Sequence, residues 1–339
     1  MWRNILFALF FLLIFTIVVS VAIGTATIPI LDVLNILLSK IPGLDQLINT
    51  TYLQSWETIV TEIRLPRILL GCFVGASLAV SGTCMQGLFR NPMADPYVIG
   101  ISSGAALGAV STLVLELLFP KTSVYYITPF FAFAGALGAV LLVYSISRVG
   151  GRVPVETLLL SGIAVASFLS AITSIIVYVY SRDVMSVLFW LTGSLGAAKW
   201  NDVWIVLVTC LTGTFIMFAF SRDLNSILLG EETAQNLGVE TEKVKHIILV
   251  VCSFITASAV VASGSIGFIG LVTPHIMRLI VGPDHRILIP SSALVGGIFL
   301  ILCDTITRIL IQVPVAMVTA LIGAPFFIYL LSRHKRSTQ

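Results

Sequence analysis

Arg64 and Arg67 flank Leu65-Pro66 at the head of a long apolar stretch, in the segment Glu62-Ile63-Arg64-Leu65-Pro66-Arg67. Pro66 suits the first turn of a helix, and two guanidiniums at a helix start run against the dipole preference for anions there. The pair therefore reads either as an anion-binding spot or as arginines snorkelling to lipid phosphates. A second charged pair, Asp304 and Arg308, has the four-residue spacing of an ion pair on one helix face. Other reactive chemistry is sparse. The histidines (His246, His275, His285, His334) contain no H-x-x-x-H pair, and the five cysteines lie within apolar runs with no C-x-x-C, so no metal centre or redox pair is expected. There is no H-E-x-x-H and no pair of embedded aspartates. The nucleotide-binding pattern G-x-x-x-x-G-K-[ST] is also missing, so any ATP consumed is hydrolysed on another chain. An ion-coupled secondary carrier, the alternative reading, needs ionisable groups inside the membrane, and only Glu116 and Asp304 come near that description.

The elements that must position these residues follow from composition. Of 339 residues, 58% are hydrophobic and 10% charged, with a mean hydropathy of +1.05; soluble domains carry about 25% charged residues. The apolar residues come in long unbroken runs rather than in alternation, which excludes a β-barrel. Runs cover roughly 5–24, 66–89, 97–119, 127–147, 157–180, 203–220, 246–262, 265–281, 287–303 and 314–331. The expectation is an all-α polytopic membrane protein of ten transmembrane helices, one domain over residues 1–339. Basic residues concentrate at both termini and in alternate connections, most clearly in Arg333-His334-Lys335-Arg336, which puts both termini in the cytoplasm. By that count 32–65 is a polar extracytoplasmic loop and 221–245 a cytoplasmic segment. A net charge of +3 is no nucleic-acid signature.

Three patterns suggest how the helices work. Small residues at Gly71-x-x-x-Gly75 and at Gly100, Gly104 and Gly108 permit close helix packing. Within 221–245, Leu224, Ile227 and Leu228 form a short amphipathic turn and Gly230 breaks it. Glu231 to Leu237 then reads as a second short helix, with acids in its first turn and Gly238 as a left-handed stop. This segment is either a docking element for a partner or a solvated loop. Between Ser263 and His275, glycines at every third position and Pro274 suggest a short or broken helix facing protein or a water-filled path, with simple packing as the alternative.

Taken together, Arg64-Leu65-Pro66-Arg67, Gly75-Ala76-Ser77-Leu78-Ala79-Val80-Ser81-Gly82, Asn91-Pro92-Met93-Ala94-Asp95-Pro96, the stretch Gly230 to Gly238, Gly264 to His275 and Gly323-Ala324-Pro325-Phe326-Phe327 resemble, in order, the permease family of type II ABC importers for ferric siderophores, haem and cobalamin. The resemblance runs from about Arg3 to Leu331. It implies a homodimer in the cytoplasmic (inner) membrane with a translocation path between subunits, two cytoplasmic ATPase subunits and an extracytoplasmic substrate-binding protein. ATP and Mg would be used by the ATPase, with no cofactor, metal or catalytic residue in this chain. It implies docking of the binding protein at Arg64, Arg67 and Arg308, and ATPase coupling through Gly230, Glu231, Glu232, Ala234, Leu237 and Gly238. Path and gate candidates by the same resemblance are Gly82, Gln86, Asn91, Pro92, Asp95, Pro96, Val155, Glu156, Gly267, Gly270 and Pro274. Val155 and Glu156 depart from the small polar residues that other members place at the inner gate.

Overall fold

Each apolar run lies on a helix in the computed structural model, which describes residues 2–24, 26–40, 52–119, 124–150, 153–180, 192–309 and 313–337. In chain order the helices are α1 (Trp2–Ala22), α2 (Ile30–Ser39), α3 (Gln54–Thr58), α4 (Leu65–Leu88), α5 (Ile101–Leu118), α6 (Val124–Ser147), α7 (Val155–Tyr180), α8 (Trp200–Ala219), α9 (Ser221–Leu228), α10 (Glu231–Asn236), α11 (Thr241–Ser263), α12 (Ile269–Val281), α13 (His285–Ile309) and α14 (Val315–Ser337). Among the described residues, seven helical stretches are long and apolar enough to cross a membrane, and α2, α12, the Ile101–Glu116 part of α5 and the Val315–Tyr329 part of α14 are further apolar helical stretches.

The 32–65 connection is more structured than a polar loop. Val33 and Ile36, three apart on α2, are fully buried in a cluster with Val21 of α1 and Ile68 of α4. A π-helical turn, Ile59–Arg64, then joins α3 to α4, so helical backbone runs unbroken from Gln54 to Leu88. Trp200, at the start of α8, donates its indole N–H to the Thr61 carbonyl in that turn at 3.1 Å. Residues 41–51 of this connection lie outside the described residues.

α4 is the central helix: 89% of its membrane window is buried, against 22% for α1 and α7, whose large apolar side chains face outward as lipid requires. Glycines set its contacts. A Cβ at Gly75 would overlap the Gly296 carbonyl of α13, a Cβ at Gly296 would overlap the Gly75 carbonyl, and a Cβ at Gly82 would overlap the Gly270 carbonyl of α12. Gly104 and Gly135 make the same reciprocal contact between α5 and α6. Helices with no hydrophobic force between them gain instead from this backbone-close packing.

The expected interruption near residue 265 is present. α11 stops at Ser263, Gly264 takes φ +69°, and the chain runs extended to Phe268, itself at φ +70°, before the 13-residue α12 begins. The eighth apolar run is thus a short helix preceded by an unwound segment, four residues shorter at its start than the run itself.

Candidate functional site

The three predicted docking arginines converge at one end of the molecule, where α1 ends. Arg64 donates Nη1 to the carbonyls of Val21 (2.6 Å) and Ala22 (3.1 Å), and Nη2 to that of Ala26. Arg308 donates Nη1 to Ile23 O (3.0 Å) and Nη2 to Ser20 O (3.0 Å) and Ser20 Oγ (2.6 Å). The last carbonyls of a helix lack intrahelical partners and carry its negative dipole end, so two buried guanidiniums cap α1. Arg67 points instead to Asp304, making three hydrogen bonds of 2.8–3.1 Å. Asp304 also lies 3.1 Å from Arg308 Nε, which realises the four-residue pair expected from sequence. One carboxylate therefore faces a cluster of three arginines. Arg64 and Arg308 are buried rather than displayed, and Arg67 is the most accessible of the three. Donors of Arg64 and Arg308 are engaged by carbonyls at and just beyond the end of α1, and those of Arg67 by Asp304.

At the other end of α4, the segment 221–238 folds as expected into two short helices. Leu224 and Ile227 of α9 and Ala234 of α10 are fully buried, whereas Leu229 and Leu237 are exposed. Gly230 (φ +122°) turns the chain between the helices, and Gly238 (φ +87°) ends α10, its N–H donating to Gln235 O at 2.9 Å and that of Val239 to Ala234 O at 3.0 Å. Buried Lys245 of α11 pairs with Glu231 (2.7 Å) and Glu242 (3.1 Å), fixing α10 onto the membrane helices, while Glu232 stays exposed. Ala234 is thus part of the anchor rather than of the displayed face, because its methyl packs inward with Leu224 and Ile227.

The path candidates divide into two groups. Gly82, Gln86, Gly270 and Pro274 are buried at the α4–α12 contact. Gln86 donates Nε2 to the carbonyls of Gly270 (3.3 Å) and Leu271 (3.2 Å) and accepts from Arg278 at 2.9 Å, so its polar atoms are engaged between helices. The Asn91–Pro96 connection folds on itself. Asn91 Oδ1 accepts from Met93 N, Asp95 Oδ1 accepts from Tyr97 N at 2.8 Å, and Pro96 opens a 3-10 turn to Ile99, with Pro92 exposed. Burial pushes the Asp95 carboxyl up to about 6 against the opposing hydrogen bond from Tyr97. Tyr97 then sets its hydroxyl between the Ile266 carbonyl (3.0 Å) and N–H (3.2 Å), tying this connection to the unwound segment. No atom lies within 4 Å of a Cβ built at Gly267. Val155 and Glu156 stand apart from this group, in the first turn of α7, where Val155 packs near Leu88, Phe89 and Lys245 and Glu156 is exposed.

A family model described as the FecCD transport family matches residues 12–333. The chain belongs to the FecCD family. It is 50% identical over 276 residues, 81% of its own length and 73% of the relative's, to the cobalamin import system permease protein BtuC of Halobacterium salinarum. It is 39% identical to the hemin transport system permease protein HmuU of Yersinia pestis, covering 85% of this chain and 87% of that one. A solved structure of a metal-chelate type ABC transporter in an inward-facing conformation superposes with a TM-score of 0.81 at 31% identity, over 98% of this chain and 99% of the other. As a FecCD protein the chain is a multi-pass permease subunit of an ABC importer in the cytoplasmic membrane, not an enzyme, and the ATPase is a separate chain.

Sequence reasoning missed two features of this FecCD permease. Asp304 was visible as the partner of Arg308 but not of Arg67, because the two positions are separated by 237 residues. Asn225 carried no signal, since a single Asn on a short amphipathic helix looks like a solvated position; its bonds to α13 are described below.

Proposed function

We propose that this chain is one subunit of a homodimeric permease that imports a bulky metal chelate, cobalamin foremost, by ATP-driven alternating access. Both termini and the 221–245 segment face the cytoplasm, where two ATPase subunits dock on the surface that displays Leu229 and Leu237. The arginine cluster faces outward to receive acidic residues of a binding protein. The single observation that carries this reading is the placement of the two candidate contacts at opposite ends of one helix. Arg67 begins α4 and Gly87 nearly ends it, twenty residues that rise about 30 Å, one hydrocarbon thickness. A rigid, fully packed helix with a charged cluster at one face of the membrane and a partner segment at the other suits a conduit worked from both ends. Alternating access needs displacement of packed helices rather than embedded chemistry, in keeping with a core whose contacts are glycine-mediated.

Cobalamin is preferred because the 50% identical relative is named for it. The test is competition. Uptake of radiolabelled cyanocobalamin by the reconstituted complex is measured against excess haem, ferric citrate and a ferric hydroxamate. Inhibition by unlabelled cobalamin alone supports the assignment; inhibition by one of the iron chelates, or no cyanocobalamin uptake beside ATP-dependent uptake of a labelled iron chelate, overturns it.

A further inference from the structure

One half-buried polar cluster, with only His285 fully enclosed, lies between α9 and the start of α13 and belongs to none of the contacts assigned above. Asn225 of α9 donates Nδ2 to Asp284 Oδ1 at 2.8 Å, and its Oδ1 accepts from the His285 backbone N–H at 2.9 Å. The same Oδ1 lies 2.9 Å from His285 Nδ1. An amide oxygen only accepts, so Nδ1 is the donor of this bond when it carries the ring proton. His285 is 1% exposed and Nε2 has no hydrogen-bond partner. The ring is pressed against Gly87 of α4, where an added Cβ would overlap Nε2. Asp284 is held from its other side by Arg286, whose Nε lies 3.0 Å from both carboxylate oxygens. That fork keeps the Asp284 carboxyl well below the usual carboxylate range.

We propose that Asn225 is the positioning residue through which movement of the cytoplasmic segment is delivered to α13 and, by way of the His285 ring, to the end of α4. The proposal rests on the reading of 221–245 as the ATPase contact. Leu224 and Ile227 also bind α9 to the membrane helices, but apolar contacts are non-directional and permit sliding. Three directional bonds from one short side chain do not: a shift of α9 along its axis must break them or carry Asp284 and His285 with it. His285 starts α13 and Gly87 lies in the last turn of α4, so the joint reaches both helices that cross at Gly75 and Gly296. Coupling through a packed, hydrogen-bonded element with two arrangements is the physical form that transmission between distant sites requires.

The test uses the full complex of permease, ATPase and binding protein in liposomes, reading cyanocobalamin delivered per ATP hydrolysed. Wild type must show ATP-dependent uptake; failure there overturns the permease reading and not the joint. Asn225→Leu removes all three bonds at similar volume, and uptake per ATP is expected to fall about tenfold. Asn225→Asp loses the donor to Asp284 and sets two carboxylates together, and is expected to fall similarly. Combining Asn225→Asp with Asp284→Asn reverses the polarity of that one bond, removes the pairing of two carboxylates and leaves one oxygen at 284 to accept from Arg286, so the ratio is expected to return to within about threefold of wild type. If Asn225→Leu does not assemble, the contrast between Asn225→Asp and the double variant decides. A ratio within about twofold of wild type in the assembled single variants, or no recovery in the double variant, overturns the proposal.

Discussion

Arg67 closes on Asp304 as a fork, with Nε 2.9 Å from Oδ1 and 3.1 Å from Oδ2 and Nη2 2.8 Å from Oδ1, joining the start of α4 to the end of α13. Asp304 is 1% exposed and is the one acid among three arginines. The cluster is consequently organised before any partner arrives, and its positive excess is held in place by α1 and α13 rather than by solvent.

Removing the acid exposes what it holds. Asp304→Ala is expected to destabilise the permease by about 3 kcal/mol, because Arg308 stays buried without its counter-charge. Thermal unfolding in detergent measures this, and an unchanged midpoint would contradict it.

The arginines are expected to separate by role. Arg67→Gln, which removes the charge but can still donate to Asp304, should slow association with the binding protein severalfold and more at low salt, as a rim charge acts mainly on encounter. Arg64→Ala and Arg308→Ala should instead lower thermal stability, since both cap α1. Association kinetics at two salt concentrations, beside unfolding midpoints, distinguish the two outcomes.

Glycine contacts give a paired prediction. Gly82→Val forces side-chain atoms into the Gly270 carbonyl and should cost about 1–3 kcal/mol, whereas Gly267→Ala meets no atom within 4 Å and should leave the unfolding midpoint unchanged. Equal effects from the two variants would refute the packing assignment.

Asp95 sets a pH dependence. Burial raises its folded pKa to about 6, above the ordinary aspartate value of 3.8, so the folded state binds the proton more tightly. The stability this contributes is complete below pH 3.8 and is lost as pH rises through about 6. Wild type is therefore expected to lose stability relative to Asp95→Asn between those values; parallel unfolding midpoints across the range would contradict the assignment.

Much of this was legible in the sequence, for reasons that particular elements make plain. Long apolar runs locate helices because lipid leaves the backbone no alternative, and Gly230 and Gly238 mark turns that require positive φ. What escaped notice depended on tertiary contact. α2 was hidden because its ten residues, Ile30–Ser39, are too few to span a membrane and are interrupted by Asp32 and Asn35, and only packing against α1 shows which of its apolar positions are buried. The burial of Ala234 was not visible because the residues around it are polar. The bonds of Arg64 to the end of α1 were not visible because nothing local shows that α1 ends beside it.

The coupling surface follows from the burial of Ala234. Leu237→Glu and Leu229→Glu change exposed side chains and are expected to cut transport about tenfold with the fold intact, while Ala234→Glu places a charge in the core and should prevent assembly. Size-exclusion profiles and uptake assays together check both halves.

The central claim, that this chain is a conduit driven by a separate ATPase, is tested most directly by reconstituting it into liposomes alone and with its ATPase and binding protein. The account predicts chelate uptake in the full complex only, dependent on ATP and indifferent to collapse of proton and sodium gradients. Uptake by the lone chain driven by either gradient would contradict it.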